Sequence, residues 1–348
     1  MLKLQDKVVL YPFLIIVSLL FVFGFIDTPR FHSTEPNEFN CKHNRILCLK
    51  NLPEYNPKCE APMPYPSHTS RDVILGMFVP KKGWTEGHLE MMSYVYYLMR
   101  KIMPNVHIVL FLGKQLEGIP EWDNLVKEYK IDAKYISVED GWNMINYRFM
   151  LYKNYLIEHK DEIDRAIYCD SKDIYMLRDP FTKIAMKDYV IVGREFRSID
   201  ENDYYSYDGF YQYYNNYGWM ADAYGVEFTE KLKKEKKPIN NGGFGGGDVE
   251  SLIKYLTIWT DEMIRVEGQK RWGYDQATLN RLVYTGIMEK ELPFIHYSDC
   301  KNDRICMFSE RRVEYKNGIP YLFDGCIPHL LHRDGLTYKM MDRKRYLD

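Results

Sequence analysis

The chain has 348 residues, 46% hydrophobic and 28% charged, enough for a sizeable core in one large domain or two small ones. Its formal net charge of -2 offers no basic surface to a polyanion, which argues against nucleic acid as a partner. Its 30 tyrosines serve equally as core filler or as carbohydrate platforms, since an aromatic face packs on a sugar ring while the hydroxyl stays wet.

Residues 1–7 read as a short tail before Val8–Ile26, a segment without a single charged side chain. As a helix it would be about 28 Å long, close to the hydrocarbon thickness of a bilayer. A cleaved signal peptide has a shorter apolar core and a small-residue cleavage site, whereas Phe25, Ile26 and Asp27 close this segment. The reading is an uncleaved signal anchor that contacts the membrane through Val8–Ile26. Lys3 and Lys7, offset by Asp6, precede it and Arg30 follows, so charge bias orients it poorly.

The cysteines orient it better. Cys41, Cys48 and Cys59 follow the span, Cys300, Cys306 and Cys326 lie near the C-terminus, and Cys169 sits alone in an apolar segment. Six pairable thiols and one buried thiol suit an oxidising lumen, and no C-x-x-C pair indicates zinc. The expectation is a single-pass type II protein of the ER or Golgi membrane, with disulfides of unassigned connectivity and 1–7 as the cytosolic tail. The alternative is a cytosolic protein with seven reduced thiols. Residues 27–70, punctuated by Pro29, Pro36, Pro53, Pro57, Pro62, Pro64 and Pro66, read as an extended lumenal stem.

From residue 71 to 348 the pattern is that of a packed domain. Asp72–Val79, Val106–Gly113, Ala133–Val138, Arg165–Cys169 and Tyr189–Gly193 read as strands. Thr85–Ile102, with Thr85 as a candidate cap, Glu121–Tyr129 and Ile145–Lys160 read as helices between them. Such alternation predicts an α/β fold, a mostly parallel sheet flanked by helices, with ligands at the carboxyl ends of the strands. Asp170 and Asp173 fall at one of those ends, in "YCDSKD".

In a continuing strand, residues three apart point to opposite faces, so these carboxylates converge only if the chain turns after Asp170. Ser171 and Asp173 favour a turn. Convergent carboxylates there suit Mn²⁺ or Mg²⁺ shared with a phosphate. Alternatively the aspartates hydrogen-bond backbone amides of the turn, with Lys172 as a neutralising partner. Asp275 in "RWGYDQATLNRLVY" reads as a helix cap. The glycines of "INNGGFGGG" (Ile239–Gly247) read as a close-approach segment able to adopt positive φ, or as a flexible loop. The Tyr-rich stretch Asp203–Tyr224 is a lid, an acceptor surface or irregular packing, and Glu230–Pro238 a solvated helix end.

Over roughly residues 71–339 this order of motifs resembles a GT-A-type glycosyltransferase, a nucleotide-diphospho-sugar transferase-like fold. "YCDSKD" followed by "LRDPF" resembles its D-x-D motif, with Lys172 where the second acid usually stands. "INNGGFGGG" is similar to the segment lining the sugar-donor site, and "DQATLN" to one beside donor sugar and acceptor. "HLLHRDGLTYK" is similar to an H-x-x-G-x-x-K motif, with Lys339 one residue late, and His329 reads as a core histidine.

The resemblance implies a metal set of Asp170, Asp173 and His332, catalytic roles for Asp275 and Asn241, and substrate binding by Arg148, Asp170, Gly242, Gly243, Gln276, Gly335 and Lys339. It implies a metal-dependent hexosyltransferase with Mn²⁺ or Mg²⁺ as cofactor, a UDP- or GDP-sugar donor and a glycan or glycoconjugate acceptor. Imidazole among the ligands favours Mn²⁺. The competing expectation is a membrane-anchored carbohydrate-binding or scaffolding protein on an inactive transferase fold, for which Lys172 is the argument.

Overall fold

The computed structural model describes residues 59, 64–80, 83–195, 216–307, 314–316, 319–322 and 324–332. The predicted tail, the membrane anchor Val8–Ile26, most of the stem, residues 203–215 of the Tyr-rich stretch, and Gly335 and Lys339 lie outside the described residues. Among the described residues, no helix is long and apolar enough to cross a membrane.

The first half alternates as its periodicity requires. Strand β1 (Asp72–Phe78), helix α1 (Glu86–Ile102), β2 (His107–Gly113), α2 (Pro120–Glu128), β3 (Asp132–Ile136), α3 (Met144–Glu158) and β4 (Arg165–Cys169) follow in order. The four strands are parallel, in the spatial order β3-β2-β1-β4. β1, β2 and β4 read as near-continuous apolar runs because helices cover both faces of the sheet. Alternate side chains then serve two cores. Ile74, Ile108 and Ile167 pack with Val95, Met99 and Trp122 of α1 and α2. Val73, Leu75, Val109 and Ala166 pack with Phe149 and Tyr152 of α3. Thr85 precedes α1 as its cap, its backbone N–H donating to His88 Nδ1 at 3.2 Å.

After β4 a turn leads into β5 (Ile174–Met176), which leaves the large sheet. The chain returns through β6 (Val190–Arg194), α4 (Asn216–Tyr224), α5 (Val226–Lys234), β7 (Asn240–Asp248), α6 (Val249–Arg265), α7 (Tyr274–Tyr284), α8 (Ile287–Glu291) and β8 (Ile295–Ser298). The finished large sheet has seven strands, β3-β2-β1-β4-β7-β6-β8, with only β7 antiparallel to its neighbours. It is thus a mostly parallel α/β sheet flanked by helices.

β7 corrects the reading of Ile239–Gly247. It is neither a flexible loop nor a positive-φ segment, but a fully buried central strand in which no glycine has positive φ. Sterics explain why a sequence of low β-propensity sits there: a Cβ on Gly246 would stand 2.7 Å from the carbonyl oxygen of Ala166. The close-approach part of the expectation holds. The last residues of the Tyr-rich stretch form α4, which packs on α7, and α5 ends in the half-buried Lys233 and the exposed Lys234.

A three-stranded sheet and a two-stranded β10–β11 pair complete the described part of the domain. β9 (Ile305–Cys306), β10 (Glu314–Lys316), β11 (Ile319–Tyr321) and β12 (Leu330–His332) follow β8, and β5, β12 and β9 pair in that order. β12 is antiparallel to β5 and parallel to β9. Two disulfides brace this sheet. Cys300–Cys306 fixes β9, and Cys59–Cys326 ties the end of the stem to the segment before β12. Cys169 is a free, buried thiol, as its solitary position in the sequence predicts.

At the amino end of the large sheet, Arg165 and Asp72 form a fully buried pair, Nη2 to Oδ2 at 2.6 Å. Arg165 also donates to the carbonyls of Pro66, Ser67, Phe181 and Ile184, so its charge is fully hydrogen-bonded. Breaking a pair of this kind costs about 3–5 kcal/mol, because the surviving charge is left buried.

Candidate metal centre

The opposite, carboxyl end of β4 carries a metal-capable group. The Asp170 backbone N–H donates to Gly243 O of β7 at 2.9 Å, which holds the last residue of the strand line in place. The chain then turns over Ser171–Asp173, and Ser171 Oγ donates to Met77 O of β1 at 2.7 Å. β5 starts at the next residue, Ile174, which pairs with His332 at the end of β12. The turn brings Asp173 back beside Asp170, and the antiparallel register brings His332 to both.

Ligand atoms of Asp170, Asp173 and His332 all lie within 4.8 Å of one another. His332 Nε2 is 3.2 Å from Asp170 Oδ2 and 3.9 Å from Asp173 Oδ2. His332 and Asp173 are buried, and Asp170 is partly exposed. Two carboxylate oxygens and one imidazole nitrogen fit a divalent cation, leaving coordination positions for a ligand's oxygens. Gly243 forms the floor of this group. A Cβ there would stand 2.7 Å from Asp170 Oδ2 and 3.0 Å from His332 Cε1, so a side chain would occupy the space between the ligands.

Arg148 of α3 ties this group to Asp275. Its Nη1 hydrogen-bonds Asp170 Oδ1, while Nη2 donates to Gly242 O at 3.2 Å and to Asp275 Oδ2 at 3.4 Å. Burial alone would lower the pKa of this guanidinium, but Asp170 and Asp275 outweigh it and the net shift is upward. Asp275 is buried, and desolvation raises its pKa against the opposing pull of Arg148. Its predicted capping role is corrected: Gly273, at φ +80°, precedes α7 as the cap, and Asp275 lies inside the first turn. A cap needs non-helical backbone, which Asp275 does not have.

The remaining predicted residues adjoin the same spot. Asn241 Oδ1 accepts from the Gly243 N–H at 2.7 Å, and Gln276 Oε1 from the Gly242 N–H at 3.3 Å. His329 is fully buried three residues before His332, and burial, then the charges of Lys183 and Arg178, push its pKa from the ordinary 6.5 down to about 3. It stays a neutral core histidine outside the metal-capable group. Cys169 is also no ligand in that group, and burial followed by the Asp170 charge pushes its thiol pKa upward.

Beside the centre a cleft of about 740 Å³ opens between the end of β1 and the starts of α1 and α3. Arg148, Asp170, Lys172 and Asp173 line it together with Phe78, Trp84, Met144 and Trp272. An apolar and aromatic wall with a few convergent charges is the usual make-up of a small-molecule site of this size.

Two features of the site escape the motif reading. The aromatic wall comes from Trp84, outside any motif, and from Trp272, which lies in the "RWGYDQATLNRLVY" stretch but was given no role there. The other is Glu195, buried beside Asn241 and Gln276 just past the end of β6. Its signal was present in the sequence: "YVIVGRE" is another apolar strand that runs straight into charge. No protein-family model matches the sequence, and no curated protein matches it as a relative.

Proposed function

We propose that the protein is a metal-dependent glycosyltransferase that moves a sugar, a hexose on this reading, from a UDP- or GDP-sugar to a glycan or glycoconjugate acceptor. On this reading its sheet is of the GT-A type. The observation that carries the proposal is the convergence of Asp170, Asp173 and His332 at a strand end beside an open cleft. The disulfides support a place in the lumen of the ER or Golgi, with Val8–Ile26 as a type II anchor.

Asp170, Asp173 and His332 would hold the cation, and Mn²⁺ suits the mixed donor set best. When bound, it neutralises charge on the departing nucleoside diphosphate as a Lewis acid. Arg148 holds Asp170 and Asp275 in fixed relation, so the ligand carboxylate is oriented before any donor arrives. The cleft takes the nucleoside, with Lys172 on its wall adding positive charge beside the diphosphate. Asn241, Gln276, Gly242 and Gly243 position the donor sugar, and Asp275 stands as the acidic group nearest the transfer. Lys339 and Gly335 complete the diphosphate contacts in the same scheme.

The test is a panel of UDP- and GDP-sugars given to the full-length protein in detergent with Mn²⁺, reading release of nucleoside diphosphate. Release from one donor class, abolished by chelation and by Asp173→Asn, is expected. The absence of both release and nucleoside diphosphate binding with either Mn²⁺ or Mg²⁺ overturns the enzyme reading. Glycan binding without release identifies the carbohydrate-binding alternative instead.

A further inference from the structure

Glu195 is a buried carboxylate, 2% exposed, to which the metal group and the cleft assign no role. Its backbone is fixed: its N–H donates to Ile239 O at 2.8 Å, and it bridges to Met307 beside β9. Its Oε1 accepts from Asn241 Nδ2 at 2.8 Å and from Gln276 Nε2 at 3.1 Å. Gln276 Nε2 also hydrogen-bonds Asn216 Oδ1.

An ionised carboxylate offers only acceptors, whereas an amide offers a donor end and an acceptor end of nearly the same shape. With both amide nitrogens drawn to Glu195, both amide oxygens are turned the other way. Asn241 Oδ1 then meets the Gly243 N–H and Gln276 Oε1 the Gly242 N–H, each using one of its two lone pairs. Asn241 Oδ1 comes within 2.8 Å, and Asp170 Oδ2 within 2.7 Å, of the point where a Cβ of Gly243 would stand. The oriented amide oxygen therefore borders the metal-capable group.

We propose that Glu195 is a positioning residue: it fixes the orientation of the Asn241 and Gln276 amides, so that this edge of the site presents acceptor oxygens that select a ligand rich in hydroxyl donors, a sugar. The selectivity half of this inference rests on the transferase reading, while the orientation half does not. Both amides donate to the one oxygen Oε1, so a glutamine at position 195 can still accept from both, whereas a leucine there offers no acceptor and leaves both amides free to rotate.

The experiment compares the full-length protein with Glu195→Leu, which has no acceptor, and Glu195→Gln, which keeps one, with thermal melting as the check on folding. Mn²⁺ affinity and nucleoside diphosphate binding are expected to stay within about twofold of wild type, because the amides that Glu195 orients are the ones assigned to the donor sugar. Turnover of the nucleotide-sugar is expected to fall about 10–100-fold in Glu195→Leu, the usual cost of losing an outer partner that orients a site, with recovery in Glu195→Gln. The side-chain amide NMR signals of Asn241 and Gln276 are expected to be slowly exchanging in wild type and in Glu195→Gln and shifted in Glu195→Leu. Unchanged turnover in Glu195→Leu overturns the selectivity, and amide signals unchanged in Glu195→Leu, or as strongly shifted in Glu195→Gln, overturn the orientation. If wild type uses no nucleotide-sugar, the transferase reading and the selectivity fall together, and the amide signals alone decide the orientation.

Discussion

The seven-stranded and three-stranded sheets share an apolar cluster, but only the smaller is also braced by disulfides, and the metal-capable group is drawn from both. The seven-stranded sheet is clamped between two large apolar clusters, so burial alone fixes the place of β4 and its terminal Asp170. The three-stranded sheet is made of strands of two or three residues, too short to be stable without outside support. Its support is burial of Tyr175, Met176, Leu330 and Leu331 in the cluster it shares with α1, together with covalent bracing: Cys300–Cys306 holds β9, and Cys59–Cys326 closes a chain separation of 267 residues just before β12. In the chain-entropy view a loop of that length is worth roughly 5.6 kcal/mol. The small sheet sets the register that places His332 opposite Ile174, next to Asp173. One ligand thus follows a strand of the large frame, one lies in the turn that leads into β5, and His332 ends a strand of the disulfide-braced small sheet.

The largest effects should come from the ligands themselves. Asp170→Asn, Asp173→Asn and His332→Ala are each expected to weaken Mn²⁺ binding by more than about 100-fold, beyond the loss typical of an outer partner, with little change in melting temperature. Calorimetric titration checks this, and a variant that keeps wild-type affinity removes its residue from the set.

Gly243→Ala should follow closely. Its Cβ would press on Asp170 Oδ2 and His332 Cε1 at once, so metal affinity should collapse while far-UV circular dichroism is kept. Gly242→Ala is the control: its Cβ would meet Trp259 at 3.3 Å and Asp275 Oδ2 at 3.4 Å, contacts that small shifts relieve.

Reduction of the disulfides is predicted to separate the two sheets. A dithiol reductant should lower Mn²⁺ affinity by about tenfold, as for a lost orienting partner, while the large sheet keeps its near-UV signal. Equal loss of both signals would mean that the sheets unfold together.

The smallest effect concerns His329, which anchors the segment into β12 by accepting at its carbonyl from Leu177 and Arg178. Its pKa falls from the ordinary 6.5 to about 3 in the folded state. Protonation therefore favours the unfolded chain, and the stability that His329 contributes is complete above about pH 6.5 and is lost as the pH falls toward 3. His329→Phe should flatten the acid limb of the stability curve. An identical pH dependence in that variant would contradict the assignment.

How much of this was legible in the sequence differs between the same two regions. Five strands of the large sheet, β1 to β4 and β6, were readable, most of them as continuous apolar runs, while the short β8 was not, and α1 to α3 carry helical periodicity. The carboxylates of the "YCDSKD" strand end were readable for the same reason, as charges that interrupt such a run. β7 was not, since a row of glycines has no side chains to carry a period and its place is set by crowding from β4 and β6. The small sheet was equally hidden, because strands of two or three residues fall below any period and the disulfides that brace it have a connectivity that spacing cannot give. Glu195 is the intermediate case, with its signal present at the end of β6 but its partners only recognisable once β7 is a strand.

The central claim is that the seven-stranded and three-stranded sheets contribute to one cation site. Titration of the full-length protein with Mn²⁺, followed by electron paramagnetic resonance, tests it. Saturation is expected at a single Mn²⁺ per chain, with nitrogen hyperfine coupling from His332 that disappears in His332→Ala, and loss of the bound signal in Asp170→Asn. Saturable binding that persists unchanged in both variants, or no binding even with a nucleoside diphosphate present, would contradict it.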